Sequence, residues 1–228
     1  LGHREIRRTL QRIKAAGGQP LYRSVDLRDA DEVAKVVGDV REEYGPIKGL
    51  VHGAGVLHDR LIVDKSRDQF RRVYATKVDG FNNLLAATSN DPVGHMIVFS
   101  SVAARTGNIG QCDYAMANEA LNKMARWESQ KRPGCRVTAI NWGPWDGGMV
   151  TSSLKKAFEE MTIGLIPIES GARLMVAEMQ NGDPSPVEVL IGSMLITGPD
   201  DATNDPMALL ERREVDLHRY PVLASHVI

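Results

Sequence analysis

The chain of 228 residues has only two cysteines, Cys112 and Cys135, and no C-x-x-C pair or His/Cys cluster at metal-ligand spacing. That excludes a disulfide framework and a structural zinc site, and a reducing cytoplasm suits the composition. No apolar run approaches the ~18 residues of a membrane-spanning helix. The first residues lack the architecture of a signal peptide. A net charge of −1 leaves no broad field to draw the protein to nucleic acid or a membrane surface. The local run Arg4, Arg7, Arg8 and Arg12 sits at helical spacing and reads as a solvated face rather than a phosphate tract. Internal repeats and low-complexity tracts are also missing.

What is present suits one soluble α/β domain: 43% hydrophobic and 25% charged residues are ordinary for a globular protein. There is no initiator Met. The opening "LGHREIRRTLQRIKAAGG" reads as a helix already under way, stopped at Gly17-Gly18, so we expect a piece of something larger. Strand and helix patterns then alternate. Pro20 to Leu27 is β-like, "DADEVAKVVGDVREEYG" helical, "IKGLVHGAG" a strand, and "SRDQFRRVYATKVDGFNNLLAATS" a long amphipathic helix. "HMIVFSS" suits a buried central strand. It is followed by helical "YAMANEALNKMARWESQK", strand "CRVTAINWG", helix "SGARLMVAEMQNG" and a final strand "PVEVLIG". This alternation predicts βαβ units and a Rossmann-like, doubly wound parallel sheet.

In such a sheet the ligand crevice lies at the carboxyl ends of the strands, and small or polar residues cluster there. Asp26, the "HGAG" of His52 to Gly55, Ser100-Ser101 and the "NWGPW" of Asn141 to Trp145 each end a strand pattern. Gly53 and Gly55 would let a flat ligand approach the backbone. Lys77 shares a helical face with Val73, Tyr74 and Phe81. It either snorkels outward or carries its ammonium into the crevice.

Ser101 stands thirteen residues before Tyr114, and Asn118 four after it. A phenol with a pKa of about 10 is a poor proton shuttle at neutral pH, and a nearby ammonium lowers that value. The amine need not come from the tyrosine's own helix, so Lys77 can supply it. Cys112, two residues before Tyr114, is not read as a nucleophile, and His58 is read as a loop residue rather than a base.

"TKVDGFNNLL", "VFSSVAARTGNIGQCDYAMANEALN" and "INWGPWDGGM" together resemble the ketoreductase domain of type I polyketide synthases, most closely those of the polyunsaturated fatty acid and enediyne kind. These ketoreductases belong to the short-chain dehydrogenases, with the Lys and Asn positions exchanged. The resemblance covers about residues 1–195. It implies NADPH-dependent reduction of a 3-ketoacyl group carried on an acyl carrier protein, beside adjacent synthase domains. By position, Tyr114 would be the proton donor, Ser101 would hold the substrate carbonyl, and Lys77 would lower the Tyr114 pKa and bind the nicotinamide ribose. Asn118 would hold a water. Asp26 and Leu27 would lie near the adenine, and His52, Gly53, Ala54 and Gly55 along the ribose and phosphates. Gly143 and Pro144 would sit near the nicotinamide amide. Residues 152–165 would form a lid, whose Lys155 and Lys156 read as solvated. Leu57, Asp59 and Met149 would line the substrate side. The retained Asp59, with Thr106 where the opposite stereochemical type carries Trp, implies a D-configured product.

The Gly-rich phosphate turn and the basic residue that would read a 2′-phosphate are not in the chain. We therefore expect the sheet to be N-terminally incomplete, lacking its first βα unit, and the segment alone to bind NADPH weakly. Residues 196–214 read as a linker. The tail 215–228, "VDLHRYPVLASHVI", resembles the start of a hot-dog dehydratase domain with His226 as its catalytic histidine, or else His226 is a surface residue. Two other readings stay open: a self-standing short-chain dehydrogenase, and a reductase-like scaffold without activity.

Overall fold

The structure is a computed structural model that describes residues 3–160, 163–180, 186–192 and 211–214. The first helix, α1 (His3–Ala15), ends where Gly17 turns to a φ of 84°, a left-handed conformation that favours glycine. The second, α2 (Ala30–Tyr44), begins at Asp29, whose side chain accepts from the Asp31 and Glu32 amides. Between them, residues 20–27 form no strand, contrary to the sequence pattern. A strand needs a neighbour for its ladder, and none of the described strands pairs with this segment. Its backbone groups are taken one at a time instead. The Asp26 amide donates to Glu32, and the Leu27 carbonyl accepts from Asn83 Nδ2 at 2.8 Å.

The other strands form where expected. β1 (Gly49–His52), β2 (His95–Ser101), β3 (Arg136–Trp142) and β4 (Glu188–Gly192) run parallel in that order, with β1 at the edge of the described sheet. β5 (Glu211–Glu214) pairs antiparallel with β4. It falls in the stretch expected to be linker. The tail after it, with His226, lies outside the described residues.

Helices cover both faces, as a doubly wound sheet requires. On one face lie α3 (Arg67–Ala87) and α5 (Cys112–Lys131), which pack Phe81, Leu121 and Ala125 against Met96, Val98, Val137 and Ala139. On the other, α7 (Ile168–Gln180) sets Leu174, Met175 and Met179 against Ile97, Ile140, Val189 and Ile191. The strict alternation along β2 and β3 follows from side chains pointing to opposite faces at successive positions. Two shorter helices, α4 (Ala103–Thr106) and α6 (Ser152–Glu160), follow β2 and β3. α3 starts with a full capping box, in which Ser66 and Gln69 satisfy each other's amides.

A polar network ties the carboxyl half of the sheet together. Glu188 is fully buried and bound by Arg105 of α4, by Arg126 of α5 at 3.0 Å, and by Asn141 Nδ2 at 3.2 Å. Asn141 Oδ1 accepts from Ser100 Oγ at 3.1 Å and from Asn122 Nδ2 at 3.0 Å. The end of β2 is thereby anchored to β3, β4 and α5. Removing one partner of a buried charge cluster leaves the others uncompensated. Glu188→Ala is expected to destabilise the fold by about 3–5 kcal/mol, read as the shift in urea midpoint.

Candidate active site

The ends of β2 and β3 open onto a cavity of about 760 Å³, lined by Lys77, Phe99, Ser101, Tyr114, Trp142 and Trp145 among others. Three elements deliver the reactive side chains. Ser101 is the last residue of β2, its Oγ accepting from the Ala103 amide at 3.2 Å. Tyr114 stands in the first turn of α5. Lys77 lies mid-way along α3 and turns inward, resolving the sequence ambiguity in favour of the crevice: it is 3% exposed and its Nζ donates to Phe99 O at 3.1 Å. The same Nζ sits 5.4 Å from the centre of the Tyr114 ring, within cation–π range. One carbonyl occupies one of the three ammonium donors.

Burial shapes the electrostatics. It pushes Lys77 down from its ordinary value to about 8, because low dielectric disfavours the charged form. Tyr114 is pushed up, also by burial first, while hydrogen bonding to Asn118 and Ser101 pulls it down and the Asp59 charge raises it. Tyr114 thus stands above the ordinary phenol value, with burial the largest cause. Asn118 Nδ2 donates to the Tyr114 carbonyl at 2.8 Å, and its Oδ1 is buried without a partner among the described residues.

His52 is where the sequence reading departs furthest. Its ring is buried in the core, stacked on Phe81 at 5.3 Å, with Nε2 2.9 Å from the Lys77 carbonyl. A carbonyl only accepts, so Nε2 carries the proton and Nδ1 is bare. Burial, then the Lys77 charge, push this imidazole down to about 4. The side chain expected beside a cofactor therefore holds the backbone of Lys77 from beneath.

Gly53, Gly143 and Pro144 line the cavity, as do Leu57, Asp59 and Met149. A methyl group at Gly55 would lie 3.1 Å from Lys77 Cε and 3.2 Å from Met149 Cε, so glycine there leaves room for the ammonium to approach. Ala54 is half-buried beside it. Asp26 and Leu27 stand off the cavity. The Asp26 carboxylate is held by Arg28 at 2.6 Å, which keeps it down at about 2, and Leu27 packs on α3 at Gly80. Leu154 and Phe158 of α6, with Ile163, line the cavity in the stretch expected to form a lid. Lys155 is ion-paired with Asp146 rather than merely solvated, whereas Lys156 is exposed.

The aromatic wall was not foreseen. Phe99, Trp142 and Trp145 form a contiguous set, with Trp142 edge-on to Trp145 at 4.8 Å. "NWGPW" displays both tryptophans, but alternation alone does not say that two of them and a Phe on the next strand meet on one face.

Known proteins bear on this geometry. Residues 2–147 match the family model described as the KR domain. The chain is 48% identical over 194 residues to a polyunsaturated fatty acid synthase of Thraustochytrium sp., an alignment covering 85% of this chain and 7% of that protein. It is 31% identical over 195 residues to polyketide synthase PksL of Bacillus subtilis, covering 82% and 4%. The chain therefore spans less than a tenth of these curated relatives. Among solved structures, a ketoreductase domain from the bacillaene assembly line has a TM-score of 0.74 at 27% identity, covering 83% of this chain and 46% of that one. An N-terminal ketoreductase from the macrolactin assembly line has 0.73 at 26%, covering 83% and 37%.

A depressed amine inside the fold has a consequence for stability. Between pH 8 and 10.5 the unfolded chain binds the Lys77 proton and the folded chain does not, so stability rises with pH across that window. The penalty is absent above 10.5 and fully present below about 8. It amounts to roughly 3 kcal/mol at neutral pH. Lys77→Met is expected to raise Tm at pH 7, by an amount that shrinks as pH rises toward 10. A lower Tm at pH 7 would contradict this.

Proposed function

The chain belongs to the KR domain family, and from that premise we propose that it is an NADPH-dependent reductase. Its substrate is a 3-ketoacyl thioester borne on an acyl carrier protein within a multidomain synthase. The observation that carries the reading is the meeting of Lys77 from α3 and Tyr114 from α5 across one cavity wall, beside Ser101 at the end of β2. The relatives named above are parts of large synthases, which favours this over a self-standing dehydrogenase. The intact Ser, Tyr, Lys and Asn set favours it over an inert scaffold.

The residues suit a nicotinamide cofactor. Lys77 has ammonium donors beyond the one given to Phe99 O, the shape of a site for ribose hydroxyls. Gly53 has no atom closer than 3.8 Å to an added methyl, so what glycine spares there is space for a ligand. Gly143 and Pro144 would abut the nicotinamide. The bound cofactor would supply the hydride.

The chain's own work is orientation and proton supply. The Ser101 hydroxyl would donate to the substrate carbonyl oxygen and fix it beside Tyr114. A phenol is protonated at neutral pH and burial raises its pKa further, so Tyr114 has a proton to give. As negative charge grows on the substrate oxygen, the phenol O–H transfers its proton there. The nearby Lys77 ammonium stabilises the resulting phenolate. The bare Asn118 Oδ1 would accept from a water that reloads the tyrosine. The aromatic wall and the α6 side chains would exclude bulk water. Leu57, Asp59 and Met149 would select the ketone face that gives the D-configured alcohol.

Tyr114→Phe is expected to lower turnover of a 3-ketoacyl thioester with NADPH by at least ~100-fold, followed as cofactor oxidation, with thermal unfolding unchanged. The pH dependence of kcat/KM reports ionisations of the free enzyme. With Lys77 at about 8, activity should fall as pH rises through that region, because the amine loses its charge. A profile flat to pH 10 would remove Lys77 from the mechanism.

A further inference from the structure

Lys65 and Asp113 form an ion pair that the reaction proposed above does not use. Lys65 Nζ lies 2.7 Å from Asp113 Oδ2, and the two side chains are 3% and 1% exposed. Burying two charges costs several kcal/mol per ion, and an apolar pair of similar volume would stabilise the fold at least as well. The pair's value must then lie in what it orients. Lys65 Nζ also donates to the His58 carbonyl at 2.7 Å, and Asp113 Oδ1 accepts the Tyr114 amide at 2.9 Å. Two side chains thus link the backbone between Leu57 and Asp59, both cavity-lining, to the backbone of the tyrosine opposite them. Two further contacts run alongside: the Arg60 amide to Gly110 O at 2.9 Å, and the exposed Gln111 Nε2 to Asp59 Oδ2 at 2.8 Å. Water competes for the second of these; it does not reach the buried pair.

We infer that Lys65 and Asp113 are positioning residues that hold the 57–59 wall in register with Tyr114, and so decide which face of the ketone is presented for reduction. Neither side chain lines the cavity, so neither touches substrate. The link is charge-assisted at both ends, which makes it short and directional. It also joins two segments distant in sequence that the described sheet does not connect directly. This inference rests on the ketoreductase reading.

The test is the enantiomer ratio of the 3-hydroxyacyl product, with kcat/KM, measured in the full-length protein on a 3-ketoacyl thioester. Lys65→Met is expected to erode the ratio about tenfold and to lower kcat/KM by a similar factor, since misplacement of the order of 1 Å has effects of up to about a hundredfold. Lys65→Met combined with Asp113→Asn leaves no buried unpaired charge and keeps an acceptor for the Tyr114 amide. It is expected to restore thermal stability without restoring the ratio. Lys65→Arg keeps the charge and donors for both acceptors, and should retain most of the selectivity. An unchanged ratio in the folded double variant overturns the inference, even if the rate falls, because a purely structural pair would act on rate and stability alone. If the unaltered protein forms no 3-hydroxyacyl product, the reductase reading fails and this inference with it.

Discussion

A single ammonium placed inside the protein sets the terms for everything around it. Lys77 is charged at neutral pH yet almost wholly removed from water, a placement that opposes folding. The surroundings are arranged to tolerate it. The Phe99 carbonyl takes one donor, the Tyr114 ring presents its face, and Gly55 withholds the side chain that would crowd it. From below, His52 grips the Lys77 carbonyl. The imidazole is kept neutral by its own burial and by the lysine's charge, so it adds no second cation to the interior.

That placement requires a rigid frame. Lys77 sits on α3, Tyr114 on α5 and Ser101 on β2, elements that meet through the packed core of Phe81, Leu121, Met96 and Val98. Close packing of that kind transmits position with little slack. The Glu188 network does the same for polar groups, pinning Ser100 through Asn141 so that Ser101 emerges at a defined height. The Lys65–Asp113 pair extends the frame to the wall at residues 57–59. The site is thus held by three separate buried devices, one apolar and two ionic.

Much of this organisation was legible. The 3.6-residue period marks α2, α3, α5 and α7 and the apolar runs mark β2 and β3, because helix and strand patterns reflect one buried face each. The strand expected at residues 20–27 was not found, although its pattern is β-like. A strand is a relation between two segments, and propensity describes only one of them. His52 was misplaced for a related reason. It ends a strand in a run of small residues, and the sequence does not say on which side of the sheet its ring falls.

The sequence by itself determined the alternating architecture, the cluster of small and polar residues at the strand ends, and the Ser, Tyr, Asn and Lys set. Each is written in spacing or in residue type. Tertiary structure alone decided that Lys77 turns inward, that burial is the largest influence on the Tyr114 phenol, and that Phe99, Trp142 and Trp145 share a wall. It alone joined Lys65 to Asp113 across 48 residues of chain. These are matters of desolvation and of distance through space, and both are properties of the packed interior rather than of any local stretch of chain.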